Sequence, residues 1–367
     1  TCSLFSAVGT RVISCTDLRI DNSVFIVPQG RYFMLPTKGV GYVALVDHLV
    51  GTSEPIRIET LSVQPRVFEL HNFITPAEAD ELVHNAKVYM TTFDGLNSSS
   101  SSNTEDPYRQ ADLAYDISSA AAMGVKRRLF DLLGIFPFQE AMTDGMQTLR
   151  YHESGAYIAH MDWVEPLSES HSGSDSSSRA GTNRYATLVL YLSDVAEGGE
   201  TVFPEVLARQ SEEEVELIEE VLAAGREHNA SQQVQQGSWQ HDLLGYCRTH
   251  LTVRPAKTKA LLFYSQYPDG RPDYTSRHGG CPVLQGEKWM SNVWVWNGER
   301  KGFWRRDSVP TVSASFESVD VEGVQLYWED QLWETLVPGR AVKVNTFVGH
   351  TWHVKVEDQP LLTWTIE

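Results

Sequence analysis

The sequence is poor in positive charge and in long apolar segments. It carries 30 lysine and arginine residues against 48 aspartate and glutamate residues, which gives a formal net charge of -18. Proteins that bind nucleic acid rely on a surplus of Lys and Arg to neutralise phosphates, so this balance argues against a nucleic-acid partner. No stretch approaches the roughly 20 consecutive apolar residues that span a bilayer, so we predict no membrane segment in this chain.

Cysteine is also scarce. The four cysteines are too few for a disulfide-built scaffold, although their number is even: Cys2, Cys15, Cys247 and Cys281. Two Asn-x-Ser triplets, at Asn97 and Asn229, are glycosylation acceptors if the protein is secretory. Triplets of this kind also arise by chance, so they do not decide the compartment by themselves.

Length and composition predict more than one folded domain. A chain of 367 residues is too long for one ordinary core, and a hydrophobic fraction of 41% is sufficient for packed cores. Short β-branched and aromatic runs, separated by Pro and Gly, predict β structure in residues 1–64 and again after Pro310. Between these regions, Thr75 followed by Pro76 has the pattern of a helix start, and a second helix is predicted over Ser118 to Leu133.

His160 and Asp162 form the first candidate metal motif. Residues two apart on a β-strand point to the same side, so both side chains can reach one metal ion. The triplet is common by chance in chains of this size, and a solvent-facing His near a turn is the alternative. A second His in suitable surroundings is therefore needed to support a metal site.

The segment around His278 and Lys288 supplies that second motif. Two His and one carboxylate on a β scaffold, with coordination sites left open, form the facial triad of non-haem Fe(II) oxygenases. Zinc would accept the same ligands, although the helical His-Glu-x-x-His arrangement of many hydrolytic zinc sites is absent. A buried Lys288 would need an anionic partner, such as the distal carboxylate of 2-oxoglutarate; a surface lysine is the alternative.

The region from about residue 65 to residue 303 resembles the catalytic domain of prolyl 4-hydroxylases in the order and spacing of its motifs. The similarity is carried by five segments: Pro65–Thr75, Gln147–Asp162, Arg184–Pro204, Val253–Phe263 and His278–Trp294. The resemblance implies a mainly β fold with flanking helices around a double-stranded β-helix (jelly-roll) core. It also implies an oxygenase that uses Fe(II), 2-oxoglutarate and O2 to convert peptidyl proline to 4-hydroxyproline. Succinate and CO2 would be released, with ascorbate as reductant.

The same resemblance assigns roles to individual residues. The implied iron ligands are His160, Asp162 and His278. The implied 2-oxoglutarate site consists of Lys288 as the anchor of the distal carboxylate, assisted by Tyr151 and Thr187. The implied lining of the peptide groove is Tyr157, Arg184 and Trp294. For the aromatic members, ordinary core packing is the alternative.

Two features depart from the family pattern. Many members carry a His two residues after the equivalent of Trp294, whereas this chain has Trp296, a difference that affects the finer peptide contacts. The acidic insertion at about residues 206–245 is longer than expected. Within it, Glu212 to Ala224 is predicted to be a solvated surface helix.

The resemblance also bears on the cysteines and the compartment. In secretory members of the family, cysteines at similar places are paired, which implies a Cys247–Cys281 disulfide, with Cys2–Cys15 as a further candidate pair. Two buried free thiols are the alternative to the first pair. The disulfide and the glycosylation acceptors together predict the secretory pathway, with the endoplasmic reticulum lumen as the expected compartment.

The last residues resemble the β domain of the von Hippel-Lindau protein, a module that recognises hydroxyproline. The similarity covers about 55 residues and is free of gaps from Trp333 to Trp352. It implies a small C-terminal β-sandwich in which Thr346 and His350 hydrogen-bond the proline hydroxyl, while Trp333 and Trp352 wall the pocket. That protein has Tyr and Ser where this chain has Trp333 and Thr346. A structural sandwich with Trp in its core is the alternative.

The sequence thus predicts an N-terminal β-rich extension (1–64), an oxygenase domain (65–308) and a von Hippel-Lindau-like β domain (311–367). The predicted activity is hydroxylation of proline in a protein or peptide, with a C-terminal module that binds the product. One alternative is an oxygenase that hydroxylates another residue, such as lysine. Another is a hydroxyproline-binding adaptor with a relic oxygenase domain, which the intact ligand set and Lys288 disfavour. The oligomeric state is not indicated.

Overall fold

A computed structural model describes most of the chain, which divides into two compact units, Thr1–Gly302 and Phe303–Glu367. The described residues are 2–9, 11–12, 23–47, 49, 51–96, 109–116, 118–164, 182–208, 234, 237–300, 311–318, 321, 323–328, 331–339, 341–347, 351–356 and 359–365. The predicted acidic helix Glu212 to Ala224 and both glycosylation triplets lie outside these residues.

The first unit is built mainly from β-strands. In chain order they are β1 (Cys2–Ser6), β2 (Val24–Pro28), β3 (Val43–Val46), β4 (Ile56–Ser62), β5 (Val67–His71), β6 (Asp112–Asp116), β7 (Met146–Tyr151), β8 (Tyr157–His160), β9 (Arg184–Tyr191), β10 (Glu197–Gly198), β11 (Thr201–Leu207), β12 (His250–Val253), β13 (Ala260–Tyr264), β14 (His278–Gly280), β15 (Val283–Gln285) and β16 (Lys288–Trp296). Three α-helices are described: α1 (Pro76–Leu96), α2 (Ala120–Leu132) and α3 (Trp239–Thr249).

Two antiparallel sheets form the body of this unit. The larger has eight strands in the order β3-β4-β5-β13-β9-β16-β7-β6, and the smaller has four in the order β12-β11-β14-β8. Phe203 of the smaller sheet packs against Phe263 of the larger one, with ring centroids 5.4 Å apart. The sheets therefore enclose a core between them, which is the arrangement of a jelly roll, and this part of the fold prediction is confirmed.

Side chains of the large sheet alternate between two cores. Val189 and Tyr191 of β9 belong to the inner core between the sheets. Leu188 and Leu190 belong to the outer core, which α1 and α2 complete from the other side. The alternation follows from strand geometry, since successive side chains point to opposite faces. A strand buried on both faces gives an almost unbroken apolar run, as residues 185–192 do.

Both predicted helices are confirmed, and their starts have the expected caps. The backbone N–H of Glu78 donates to Oγ1 of Thr75 at 3.1 Å, and the N–H of Thr75 donates to the Glu78 carboxylate at 2.8 Å. This reciprocal pair is a capping box. Ser119 caps α2 by accepting from the N–H of Ala122 at 3.1 Å. No helix among the described residues has the length and apolar character needed to cross a membrane.

The N-terminal residues join the body of the first unit. Strands β3 and β4 pair with each other and then with β5, so they extend the large sheet. The backbone N–H of Leu35 donates to the hydroxyl of Tyr264 at 3.0 Å. The segment 1–64, predicted as a β-rich extension, therefore contributes two strands to the main sheet and lies within the first unit.

The second unit contains six strands among its described residues. They are β17 (Thr311–Glu317), β18 (Val324–Trp328), β19 (Gln331–Leu336), β20 (Ala341–Phe347), β21 (Thr351–Val356) and β22 (Gln359–Thr365). Strands β17 and β20 form one sheet, and the order β19-β18-β21-β22 forms the other. The buried hydrophobic cluster among its described side chains consists of Val324, Leu326, Leu336, Val342 and Trp352.

Candidate active site

The three predicted metal ligands converge on the small sheet. His160 ends β8, Asp162 follows two residues later, and His278 begins β14, where it pairs directly with His160 across the two strands. Nε2 of His160 lies 3.8 Å from Oδ1 of Asp162, and Nε2 of His278 lies 3.6 Å from Oδ2 of Asp162. The three ligand atoms lie within 4.8 Å of one another, and no other such group is found among the described residues.

Both imidazole rings are held in the orientation that a metal requires. Nδ1 of His160 lies 2.8 Å from the carbonyl oxygen of Ile158, and Nδ1 of His278 lies 3.0 Å from that of Ser276. A carbonyl oxygen only accepts, so each Nδ1 carries the proton and each Nε2 keeps its lone pair. A backbone partner of this kind fixes the tautomer of a metal-binding His.

The electrostatics of the triad favour the metal-binding protonation states. Desolvation, followed by the proximity of His278, lowers the pKa of His160 to about 4, so this ring is neutral at pH 7. Burial acts to raise the pKa of Asp162, but the two His rings, Arg184 and a hydrogen bond from Thr187 outweigh it and lower the pKa. A neutral imidazole beside a carboxylate is the form that binds a divalent cation.

Lys288 is a buried cation without a matching anion. Its side chain is 1% exposed, and burial lowers its pKa to about 8, against the opposing effect of the negative charge of Glu200. Nζ lies 5.3 Å from the ring centroid of Tyr151 and 5.7 Å from that of Tyr191, and no described carboxylate comes within 4.0 Å. Lys126, which is also fully buried, has the Glu140 carboxylate at 2.5 Å from its Nζ.

The two residues expected to assist at the cosubstrate flank the same inner face. Lys288 pairs with Tyr151 across β16 and β7. Burial raises the pKa of Tyr151, so its hydroxyl keeps its proton and can donate a hydrogen bond. Thr187 points to the metal side, where its hydroxyl donates to Oδ2 of Asp162 at 2.6 Å. This contact holds the ligand carboxylate in place, a role that the sequence did not indicate.

The three expected peptide-groove residues lie around the triad. Tyr157 stacks on His160 with ring centroids 3.9 Å apart, and the guanidinium of Arg109 lies 5.4 Å from the centroid of the Tyr157 ring. The guanidinium of Arg184 lies 4.1 Å from the ring centroid of Trp294. Nη1 of the same arginine is 4.0 Å from Oδ1 of Asp162, so Arg184 connects the aromatic wall to a metal ligand.

Asp144 is a site residue that the sequence did not reveal. Its carboxylate accepts from Nε of Arg184 at 3.2 Å, from Nε1 of Trp296 at 3.0 Å and from Nη1 of Arg300 at 2.5 Å. Trp296, the position where the family pattern has His, is only 1% exposed and so acts by holding Asp144. No motif marks Asp144, since a single Asp in the connection that leads into β7 has no distinctive sequence pattern.

The predicted Cys247–Cys281 disulfide is confirmed. It joins α3 to the segment directly after β14, the strand that begins with the ligand His278. Leu243 of α3, Val202 of β11 and Cys281 form a small satellite core beside it. Cys2 is exposed, and Cys15 lies outside the described residues, so that pairing stays a prediction.

The predicted hydroxyproline pocket is only partly described. Trp352 is 3% exposed and packs against Phe316 with ring centroids 5.1 Å apart, in the core of the second unit. The side chains of Trp333 and Thr346, and the whole of His350, lie outside the described part of the chain. The pocket therefore stays a prediction.

The fold and the site together define a class. A jelly roll that holds two imidazoles and one carboxylate on neighbouring strands provides the facial triad of a non-haem Fe(II) oxygenase. Neutral nitrogen and carboxylate oxygen donors suit Fe(II), and the buried Lys288 suits an anionic cosubstrate such as 2-oxoglutarate.

Comparisons with known proteins agree with this class. Residues 146–296 match the model of the 2OG-Fe(II) oxygenase superfamily. "Probable prolyl 4-hydroxylase 3" of Arabidopsis thaliana is 30% identical over 245 residues, 66% of this chain and 73% of that protein. Prolyl 4-hydroxylase 5 of the same plant is 30% identical over 239 residues, 65% and 70% of the two chains. A viral collagen prolyl hydroxylase of Paramecium bursaria Chlorella virus-1 superposes with a TM-score of 0.38 at 18% identity, over 63% and 95% of the chains.

The chain belongs to the 2OG-Fe(II) oxygenase superfamily and is a prolyl 4-hydroxylase-like member of it. It is therefore a dioxygenase whose cofactors are Fe(II) and 2-oxoglutarate, and the predictions of enzyme class and cofactors are confirmed.

Proposed function

We propose that this protein hydroxylates peptidyl proline to 4-hydroxyproline, consuming O2 and 2-oxoglutarate and releasing succinate and CO2. The observation that carries the proposal is that the three metal ligands and the buried Lys288, which has no described carboxylate partner, occur together in the jelly roll. The choice of proline is supported by relatives at 30% identity that are named prolyl 4-hydroxylases. Bound Fe(II) and 2-oxoglutarate would together supply the oxidising chemistry.

In this proposal His160, Asp162 and His278 bind Fe(II). Nε2 of each ring and the Asp162 carboxylate already face one another, so the metal needs no large rearrangement. Thr187 keeps the carboxylate oriented by its 2.6 Å hydrogen bond. An outer partner of this kind raises metal affinity because the ligand does not have to be ordered on binding.

Lys288 would hold the distal carboxylate of 2-oxoglutarate. A buried ammonium without a carboxylate partner is costly, and an anionic ligand removes that cost. The protonated hydroxyl of Tyr151 would donate a second hydrogen bond to the same ligand. Thr187, whose hydroxyl lies beside the ligand Asp162, is proposed to assist in binding the cosubstrate carboxylates. Placement of the cosubstrate, and not covalent chemistry, would be the task of these side chains.

Tyr157, Arg184 and Trp294 would form the wall against which the peptide lies. Aromatic faces suit the rigid apolar ring of proline. Asp144 fixes Arg184, which in turn stacks on Trp294, so this wall is organised before the peptide arrives. Preorganisation lowers the entropy cost of holding the reacting carbon next to the metal.

We also propose that the protein works in the secretory pathway, in the endoplasmic reticulum lumen. The Cys247–Cys281 disulfide supports this because such bonds persist in oxidising compartments. The von Hippel-Lindau-like assignment of residues 311–367 is retained as a proposal with a separate test. The burial of Trp352 in the core of that unit favours a structural role for this residue.

The test is incubation of the protein with Fe(II), 2-oxoglutarate, ascorbate and a panel of proline-rich, collagen-like and lysine-containing peptides. We expect a mass gain of one oxygen atom on proline, matched by succinate release. The His278→Ala variant is the control and should show neither. Oxygen on lysine alone, or no peptide product with any member of the panel, would contradict the proposal.

A further inference from the structure

On the inner face of β16, Asn292 and Trp294 each have a buried polar atom without a hydrogen-bond partner among the described residues, Oδ1 and Nε1 respectively. Met290 belongs to the inner core and Val293 to the outer core, so Asn292 points inward like Met290. Oδ1 of Asn292 is buried, and no described residue donates a hydrogen bond to it. An unpaired buried amide oxygen is rare in a native protein and calls for an explanation.

The register places Asn292 beside the metal site. Asn292 pairs with Val189 of β9, and the next inward pair along the strands is Trp294 with Thr187. The hydroxyl of Thr187 contacts the ligand Asp162 at 2.6 Å. Diagonal neighbours on one face of a sheet lie about 7 to 8 Å apart, a distance that aromatic and long side chains can bridge. Asn292 therefore lies on the same inner face as Thr187, one inward position away from the Trp294–Thr187 pair and between Lys288 and Trp294 on its own strand.

A partner for Oδ1 of Asn292 must donate a hydrogen bond, which limits the groups that can bind there. At neutral pH 2-oxoglutarate offers only hydrogen-bond acceptors, and peptidyl proline has no N–H. Neither can donate to the oxygen of Asn292. The hydroxyl group of the product carries an O–H that can donate to Oδ1 of Asn292 in its described orientation. That hydroxyl would also be formed next to the metal.

We propose that Asn292 receives the hydroxyl group of the 4-hydroxyproline product. This inference rests on the proposed function, because it requires that proline is the residue hydroxylated. Asn292 then distinguishes product from substrate within one site, and it holds the product until the peptide leaves. It is a binding residue for the product and takes no part in cleaving the C–H bond.

The test measures equilibrium binding of three peptides that differ at one residue. That residue is proline, (4R)-hydroxyproline or (4R)-fluoroproline, and the protein carries Fe(II) and succinate without oxygen so that no turnover occurs. Fluoroproline has the same ring pucker as hydroxyproline but cannot donate a hydrogen bond. The wild type should bind the hydroxyproline peptide about fivefold to tenfold more tightly than the fluoroproline peptide.

In a His350→Ala background, which removes the contribution proposed for residues 311–367, the Asn292→Ala variant should lower this ratio to about one, while 2-oxoglutarate still binds. Ser291→Ala is the matched control, since Ser291 points to the opposite face of the same strand, where it contacts Thr148 at 2.7 Å. That variant should keep the wild-type ratio. If Asn292→Ala does not fold, Asn292→Leu, which has nearly the same shape, replaces it.

An unchanged ratio in the Asn292 variant, or an equal loss in Ser291→Ala, would overturn the role of Asn292. Turnover of the proline peptide in air separates this result from a failure of the proposed function. Wild-type protein that hydroxylates no proline contradicts the proposed function and with it the inference. Hydroxylation of proline together with an unchanged ratio contradicts the inference alone.

Discussion

Replacing Lys288 with Met should make the ligand-free protein more stable. The pKa of Lys288 falls from 10.5 to about 8 on folding because its side chain is buried. Between these values the native state binds fewer protons than the unfolded state, so the stability of the wild type rises with pH from about 8 to 10.5. Below pH 8 the full cost of the buried charge is present. At about 1.4 kcal/mol per pKa unit it amounts to about 3 kcal/mol.

Urea unfolding at pH 7 without 2-oxoglutarate measures this cost. The Lys288→Met variant should gain up to about 3 kcal/mol over the wild type, because Met fills a similar volume without a charge. The gain should shrink as the pH rises to 10.5, since the wild-type lysine then loses its proton in both states. Binding of 2-oxoglutarate should weaken at least about thirtyfold, because its carboxylate loses a buried countercharge.

Lys126→Met is the matched control, with the opposite expected sign. Lys126 is also fully buried, but its Nζ lies 2.5 Å from the Glu140 carboxylate. Removing it leaves a buried anion unpaired, which costs about 3 to 5 kcal/mol. The comparison isolates the effect of the missing partner from the effect of burial. A Lys288 variant less stable than the wild type at pH 7, or one that binds 2-oxoglutarate equally well, would refute the reasoning.

Three further predictions concern the metal, the disulfide and the second unit. His278→Ala should abolish Fe(II) binding and 2-oxoglutarate turnover with little change in circular dichroism, since a triad without one imidazole does not hold iron productively; wild-type turnover would remove the iron assignment. Non-reducing peptide mapping should find Cys247 joined to Cys281, and replacing both with Ser should lower the free energy of unfolding by about 4 kcal/mol, given a sequence separation of 34. A peptide with 4-hydroxyproline should bind the full chain more tightly than the proline peptide, with a contribution lost in His350→Ala; equal binding by that variant would leave residues 311–367 a structural role.

The local parts of the architecture could be predicted from the sequence. The capping box of Thr75 and Glu78 involves residues three apart, so its pattern can be read from a short segment of the sequence. The same holds for the shared side of His160 and Asp162, which follows from strand geometry. The chemistry of a facial triad then pointed to His278 and Lys288, and the family resemblance supported both. Each of these features is encoded within a few consecutive residues.

Other parts required the folded chain. Strands β3 and β4 extend the large sheet because β4 pairs with the edge of β5. The sequence of residues 1–64 does not indicate which strand they pair with. Asp144 becomes a site residue only because folding brings Arg184, Trp296 and Arg300 to its carboxylate. The direct opposition of His160 and His278 depends on the pairing of β8 with β14.

The sequence by itself determined which side chains could bind a metal and which segments could form strands and helices. Only the tertiary structure decided that Lys288 has no anion among the described residues, that Asn292 has an unpaired oxygen, and that Trp352 is core. The physical reason is that a sequence pattern reports the preferences of neighbouring residues. Burial and pairing depend instead on residues that are distant in the chain and meet only when the sheets close around their common core.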